Sequence, residues 1–206
     1  FKYRDKNFVN ALQWAIGLEL FLLVDDPWRI FLTTDHPNGA PFTSYPHLIR
    51  LLMDRSFRND MLSTINKEAA ASSTLASLDR EYSLYDIAIM TRAAPARSLG
   101  LKNRGHLGPG AVADITVYSN HKDKEKMFSK PDYVFKDGVL IVRNGKIVKV
   151  VNGGTHTLRP EYDNGIEKSL KRYFDKYQTI SLSNFKIDND EIVEHGNSKI
   201  IVQPCM

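Results

Sequence analysis

The chain is organised around RIFLTTDHPNG, residues 29–39. The centre of this stretch is short and apolar, and turn-forming residues bound it, which is typical of a strand covered on both faces. Such strands occur in parallel sheets and barrels, which carry their chemistry at the carboxyl ends of the strands. We predict a strand at residues 29–34 that ends at Asp35. Asp35 is therefore either a catalytic carboxylate or a residue that only shapes the turn.

The residue types around Asp35 leave both alternatives open. Metal-assisted hydrolysis needs a carboxylate that binds the metal and also takes a proton from water, and one aspartate at a strand end can do both. Local sequence alone favours the simpler alternative, in which Asp35 caps a turn together with Pro37 and Gly39. His36 and His47 are the next candidates for chemistry. The six histidines form no His-x-His, His-Glu-x-x-His or His-Cys cluster, so we expect no two-metal site from this chain alone.

The flanking sequence before residue 105 predicts helices. Apolar residues recur at helical spacing on two faces of residues 8–24, so little of that helix is expected to be exposed. Further helices are predicted at residues 44–55, 58–67, 84–91 and 94–99. Ser44 and Ser83 are the predicted N-caps, and Gly100 is the predicted left-handed stop. Helices that flank a buried strand indicate an α/β arrangement.

The pattern changes at Gly105 to alternation with a period of two. Strands are predicted at residues 111–118, 133–135, 139–143, 146–151 and 156–158, with a polar loop at 120–130. Asp137-Gly138 and Asn144-Gly145 have the residue types of two-residue hairpin turns. A helix at residues 166–177 and strands at 179–182 and 199–202 are predicted for the remainder.

Composition excludes several classes of protein. Apolar residues make up 42% of the chain and charged residues 25%, which is enough to bury a core. The net charge of +4 comes without a basic run, so no nucleic-acid partner is expected. The most apolar stretch, residues 11–24, is too short for a membrane span and contains Gln13 and Glu19. The single cysteine, Cys205, excludes an internal disulfide and fits a reducing, cytosolic setting. The first residue is Phe1 and not Met, which indicates a piece of a longer chain.

Several motifs resemble a known superfamily. TRAAPARSLG at residues 91–100, followed by GHLGPGAVADITV at 105–117, resembles the exit from the barrel of metal-dependent amidohydrolases into their β-sandwich. The glycines in the second motif have the wrong order for a phosphate-binding loop, so a structural turn ordered by Asp114 is the better interpretation. VRNGKIV at residues 142–148 resembles the hairpin of the same sandwich.

A narrower resemblance comes from two segments nearer the start. LQWAIGLEL at residues 12–20 and TTDHPNG at 33–39 are similar to the amidohydrolase-type (A-type) subunits of formylmethanofuran dehydrogenases, to which a bacterial formyltransferase/hydrolase protein is related. This resemblance implies an α/β-plus-β fold, the C-terminal portion of a (β/α)8 amidohydrolase barrel followed by part of a small β-sandwich. The implied domains are a barrel part at residues 1–104, a sandwich part at 105–158 and a C-terminal extension at 159–206.

The resemblance also implies a function. In the full-length protein, a binuclear zinc site would interconvert formate plus methanofuran and N-formylmethanofuran, the CO₂-fixing step of methanogenesis. Other subunits of a cytoplasmic oxidoreductase complex would be the partners, and no membrane is expected. Asp35 is the residue that matches a family metal ligand, and the resemblance implies that it also carries the catalytic proton. The other zinc ligands would lie upstream of Phe1, so the isolated chain is expected to be inactive and to hold no zinc pair.

Two further residues and two alternatives complete the hypothesis. His36 and Asn38 are expected to contact the substrate beside Asp35. The first alternative is another amidohydrolase that acts on cyclic amides or N-acyl amino acids. The second is a non-catalytic module that assembles partner subunits.

Overall fold

The computed structural model describes residues 4–194 and 199–203. Phe1 and Cys205 lie outside the described residues. The chain divides into two compact units, Phe1–Lys149 and Val150–Met206. The domain boundaries expected after residues 104 and 158 stay predictions. No helix in the described part of the chain is long and apolar enough to cross a membrane.

The first unit begins with helices whose starts are set by short polar side chains. Asn7 accepts a hydrogen bond from the Asn10 N–H at 3.1 Å, and Asp54 accepts one from the Phe57 N–H at 2.9 Å. Ser83 caps its helix as predicted, whereas the predicted cap Ser44 lies in a 3-10 turn and makes no capping bond. The helices are α1 (Phe8–Leu23), α2 (Tyr45–Met53), α3 (Arg55–Thr64), α4 (Lys67–Ala71), α5 (Leu84–Ala88) and α6 (Ala94–Ser98). A π-helical turn, Ile89–Ala93, joins α5 to α6.

Helix α1 buries only one of its two apolar faces. Its small and branched side chains on the inner face are buried: Ala11, Ala15, Leu18 and Leu22. On the opposite face the large side chains are exposed: Phe8, Val9, Ile16, Leu20 and Leu23. The expectation that little of this helix is exposed is therefore wrong for the described residues, because nothing among them packs on the second face.

A buried arginine joins the helices to the segment that follows them. Arg58 is 0% exposed and donates to the carbonyl oxygens of Leu51 at 2.9 Å, Leu78 at 3.1 Å and Arg80 at 3.0 Å. Burial lowers the pKa of Arg58, but the three carbonyl acceptors stabilise its charged form. The side chain therefore fixes α2, α3 and residues 78–80 together.

The sheet of the first unit is a four-stranded antiparallel meander in the order β1-β2-β3-β4. Its strands are β1 (Ile115–Val117), β2 (Tyr133–Lys136), β3 (Val139–Arg143) and β4 (Lys146–Ile147). Both hairpin predictions are confirmed, because Asp137-Gly138 and Asn144-Gly145 all have positive φ angles, between 49° and 79°. The loop predicted at 120–130 instead contains a short helix, α7 (Lys124–Ser129), capped by Asp123.

Residues 29–34 do not form the predicted strand. Pro27–Arg29 is a 3-10 turn, and the residues after it have no regular secondary structure and pair with no other segment of the described chain. Thr34 is buried, whereas Phe31 and Thr33 are exposed. The physical reason is that a parallel strand exists only through hydrogen bonds to its neighbours. The order of helices followed by a sheet agrees with the α/β-plus-β prediction, while the (β/α)8 barrel and the β-sandwich stay predictions.

The second unit contains β5 (Thr155–Leu158), α8 (Ile166–Tyr177), α9 (Asn189–Glu194) and β6 (Ile200–Gln203). The range predicted for α8 is confirmed. The strand predicted at 156–158 pairs in parallel with β6 and does not extend the meander. The strand predicted at 179–182 is wrong, because a 3-10 turn, Leu182–Phe185, follows there and Phe185 packs on Phe174 with ring centroids 5.4 Å apart.

Candidate functional site

Asp35 lies in a tight turn that the backbone holds closed. The Gly39 N–H donates to the Asp35 carbonyl oxygen, and the Ala40 N–H donates to the Thr34 carbonyl oxygen, both at 2.8 Å. The φ angle of Asp35 is 51°, in the left-handed region that aspartate adopts more readily than most residues. The turn therefore fixes the direction in which the Asp35 side chain leaves the backbone.

Position 39 of this turn has room for glycine only. A Cβ atom at Gly39 would lie 2.6 Å from the Thr34 carbonyl oxygen and 3.0 Å from the Asp35 Cβ. Side-chain carbons do not approach a carbonyl oxygen so closely, so any larger residue would push the turn open. The hypothesis that Gly39 shapes this turn agrees with the structure.

The carboxylate of Asp35 takes no part in holding the turn. Within residues 4–194 and 199–203 it accepts no hydrogen bond, and the Asp35 N–H donates to Thr33 Oγ1 at 3.3 Å. Asp35 is exposed, so its oxygens are open to solvent. The structure therefore gives no support to the alternative in which the side chain of Asp35 caps the turn.

A cavity of about 590 Å³ adjoins this turn. Its apolar wall comes from three helices and from the residue that follows α3: Ala11, Trp14, Leu48, Met61 and Ile65. Polar and charged residues also line it, from the helices, from the turn and from the residues before α1: Arg4, Asp5, Asn10, Gln13, Thr33, Thr34, Asp35, His47 and Thr64. A concave, largely apolar space with a few converging polar groups is typical of a small-molecule site.

The other predicted site residues lie apart from this cavity. His36 and Asn38 are exposed and do not line it. The ring of His36 packs edge-on against Phe42, with centroids 4.7 Å apart, and the peptide bond between His36 and Pro37 is cis. Contact of His36 and Asn38 with a substrate stays a prediction.

His47 reaches the cavity from the first turn of α2 and is held from behind by α7. Its Nδ1 lies 3.3 Å from Glu125 Oε2, and its ring packs edge-on against Phe57 at 5.4 Å between centroids. A second contact joins the same helices, because Arg50 Nη1 donates to Asp123 Oδ2 at 3.0 Å. The wall of the cavity at His47 is therefore braced by α7.

Glu125 is the part of this arrangement that sequence reasoning missed. The stretch around it was predicted as a polar loop, although Asp123 is a good N-cap residue and Met127 and Phe128 supply an apolar pair after it. Those signals point to the helix. No local signal pairs Glu125 with His47, because 78 residues separate them.

The described residues do not form a metal site by themselves. No group of three or more His, Cys, Asp or Glu side chains with the geometry to hold a metal ion exists in residues 4–194 and 199–203. Asp35 fits as one carboxylate ligand, since its oxygens are exposed. A zinc pair does not fit these residues alone.

A second aspartate, Asp114, closes the glycine-rich motif of residues 105–114. It accepts the Asp137 N–H at 2.9 Å and the Lys136 ammonium at 3.1 Å, and it forms an ion pair with Arg104. Partial burial raises the pKa of Asp114, but these donors outweigh burial and the pKa lies below its ordinary value of 3.8. The prediction that Asp114 orders a structural turn is confirmed.

Comparison with known proteins places the chain in a family. The sequence profile described as "Amidohydrolase family" matches residues 2–149. The chain belongs to the amidohydrolase family. Amidohydrolases are generally metal-dependent. The match covers the Asp35 turn, the cavity and the four-stranded sheet.

Two curated relatives are similar over nearly the whole chain. The A-type subunit of the formyltransferase/hydrolase complex Fhc from Methylorubrum extorquens is 44% identical over 195 residues, which cover 95% of this chain and 36% of that protein. Protein FwdA from Methanocaldococcus jannaschii is 39% identical over an alignment 215 residues long that covers 98% of this chain and 37% of that protein. The chain thus spans little more than a third of the length of the relatives it matches.

A solved structure matches the whole chain. It is the X-ray crystal structure of the formyltransferase/hydrolase complex FhcABCD from Methylorubrum extorquens in complex with methylofuran. The TM-score is 0.86 at 41% sequence identity, and the match covers 100% of this chain and 37% of the other. Similarity at this level extends to both compact units of the chain.

Proposed function

We propose that this chain is part of the amidohydrolase-type (A-type) subunit of a formylmethanofuran dehydrogenase or of a closely related formyltransferase/hydrolase complex. The observation that carries the proposal is the identity of 44% to the A-type Fhc protein and 39% to FwdA, over at least 95% of the chain. The methylofuran complex of the matching structure supports an amine-bearing furan coenzyme as the substrate class. The other subunits of such a complex are the proposed partners, in the cytoplasm.

The proposed reaction is cleavage or formation of one C–N bond. Water adds to the formyl carbon of N-formylmethanofuran, the bond from carbon to nitrogen breaks, and formate and the free amine of methanofuran are the products. In the reverse direction, this step fixes CO₂-derived formate in methanogenesis. A zinc pair in the full-length protein would supply the Lewis acid for this chemistry.

Asp35 is the residue of this chain that we propose for the proton transfer and as a metal ligand. Its carboxylate is exposed, accepts no hydrogen bond from the described residues and lines the cavity. An oxygen of Asp35 takes the proton from the attacking water and delivers it to the leaving amine nitrogen. The remaining zinc ligands come from outside the described residues, and His36 and Asn38 are proposed to contact the substrate at the exposed side of the turn.

The substrate assignment is tested with the zinc-loaded full-length protein. Formate release from N-formylmethanofuran and N-formylmethylofuran is measured beside hydrolysis of a hydantoin and an N-acyl amino acid. We expect turnover of a formyl-furan compound only. Faster turnover of the hydantoin or the acyl amino acid would make the protein another amidohydrolase. If the protein co-purifies with partner subunits and hydrolyses none of these compounds, it is a non-catalytic assembly module.

The role of Asp35 is tested by Asp35→Asn in the same protein. We expect kcat to fall by roughly 10²–10⁴-fold, because the amide cannot accept the proton. Asp60→Asn is the matched control, since Asp60 is an exposed aspartate on α3 that does not line the cavity. Near-normal turnover by Asp35→Asn would remove Asp35 from the mechanism, provided that thermal unfolding of both variants matches that of the wild type.

A further inference from the structure

The cavity beside Asp35 has a second group that can contact a substrate, the imidazole of His47. His47 lines the same cavity as Asp35 and is half-buried. Its ring is fixed on two sides, by Glu125 at Nδ1 and by the edge-on contact with Phe57. A ring held at its rear edge presents its other nitrogen in a defined direction.

The contact with Glu125 determines what that nitrogen can do. A carboxylate only accepts hydrogen bonds, so Nδ1 of His47 carries the proton that Glu125 Oε2 accepts at 3.3 Å. In the neutral ring, Nε2 then has a free lone pair and is a hydrogen-bond acceptor. Nε2 of His47 has no hydrogen-bond partner among residues 4–194 and 199–203.

We propose that His47 is a substrate-contacting residue whose Nε2 accepts a hydrogen bond from the N–H of the scissile formamide or of the amine product, and that Glu125 is its positioning residue. This inference rests on the proposed function, because a secondary formamide and its amine both offer an N–H at the reacting nitrogen. His47 then selects for compounds with that N–H. A formamide that is methylated at nitrogen lacks the donor and loses the contact.

The contact between His47 and Glu125 also joins α2 to α7. A purely structural role of this contact therefore has to be distinguished from the proposed role in binding a substrate. The ion pair between Arg50 and Asp123 joins the same two helices at 3.0 Å, and neither residue lines the cavity. Asp123→Asn is therefore a matched control. It weakens the junction of the helices, keeps an N-cap residue on α7 and leaves the proposed substrate contact in place.

The test measures binding of methanofuran to the zinc-loaded full-length protein by calorimetry, without formate, so that nothing is turned over. We expect His47→Ala to raise Kd roughly tenfold and Glu125→Ala to raise it several-fold, whereas Asp123→Asn stays within about twofold of the wild type. Competition with N-formylmethanofuran and its N-methyl derivative supplies a second measurement, made in the Asp35→Asn background so that hydrolysis of the formamide is too slow to disturb binding. Asp35→Asn should prefer the compound with the N–H, and Asp35→Asn combined with His47→Ala should lose that preference.

The outcomes separate this inference from the proposed function. A wild type that binds methanofuran and releases formate, with His47→Ala unchanged in Kd and in preference, overturns the role of His47 alone. An Asp123→Asn variant as weak as His47→Ala also overturns it and makes the contact structural. A wild type that neither binds methanofuran nor hydrolyses its formamide overturns the proposed function and, with it, this substrate contact.

Discussion

Asp35 and Asp114 differ in what surrounds them, although each lies in a turn of a glycine-containing motif. Asp114 is held by Lys136, by Arg104 and by the Asp137 N–H, so its lone pairs are used within the fold. The carboxylate of Asp35 accepts no hydrogen bond from the described residues, and Asp35 lines a cavity. A carboxylate with its lone pairs occupied stabilises structure, whereas one with open lone pairs can take a proton or a metal ion. Surroundings, and not residue type, therefore separate a structural aspartate from a candidate catalytic one.

The largest expected effect comes from replacing each of the two aspartates by alanine and measuring stability. Asp114→Ala should destabilise the β1–β4 sheet by about 2–3 kcal/mol, because the Asp137 N–H loses its acceptor and Arg104 and Lys136 keep only one of the two carboxylates they share, that of Asp137. Asp35→Ala should change stability by less than about 0.5 kcal/mol. Hydrogen exchange of the β2 and β3 amides in the full-length protein measures the stability change that each variant causes. Equal losses of protection in the two variants would contradict the difference between Asp35 and Asp114.

A smaller effect is expected at the glycine of the Asp35 turn. Gly39→Ala should destabilise by about 1–2 kcal/mol and lower turnover, because the added Cβ would lie 2.6 Å from the Thr34 carbonyl oxygen. Gly17→Ala is the matched control in α1, where a Cβ meets nothing within 4 Å. It should stabilise by about 0.5–1 kcal/mol through helix propensity. Thermal unfolding and formate release by both variants check the pair, and a Gly39→Ala variant as active as Gly17→Ala would show that the turn is not constrained.

The smallest expected effect is the dependence of sheet stability on pH. The pKa of Asp114 is lower in the folded chain than its ordinary value of 3.8, so its contribution is fully present above that pH. The contribution is lost as pH falls from there through the lowered pKa, because the unfolded chain then binds more protons than the folded one. Acid unfolding followed by hydrogen exchange should show this loss in the wild type and a weaker one in Asp114→Asn. Identical acid profiles of the two proteins would contradict it.

The parts of the fold that the sequence predicted well depend on neighbours within a few residues. The turns at Asp137-Gly138 and Asn144-Gly145, the cap at Ser83 and the stop at Gly100, whose φ is 69°, all follow from local backbone preferences. The extent of α8 was predicted for the same reason. These features depend on the backbone preferences of adjacent residues, so the sequence alone predicts them.

The parts that could not be predicted depend on distant contacts. Residues 30–34 have the composition of a buried strand, yet a strand needs hydrogen-bonded neighbours, which the described residues do not supply. The outer face of α1 is also apolar, and its composition likewise predicts burial, but no described residue packs on it. In the site, Asp35 and His47 were recognisable as candidates by residue type. Their common cavity and the contact with Glu125 required the three-dimensional arrangement.

The contacts between α2 and α7 determine when the site is completed during synthesis of the chain. Glu125 meets His47 across 78 residues and Asp123 meets Arg50 across 73, so both contacts close long loops and are expected to form late. Chain growth from the N-terminus delivers the Asp35 turn well before α7 leaves the ribosome. The nascent chain thus carries the Asp35 turn for some time before the opposite wall of the cavity is in place, and the cavity is completed only when a helix that lies far downstream of the turn has folded.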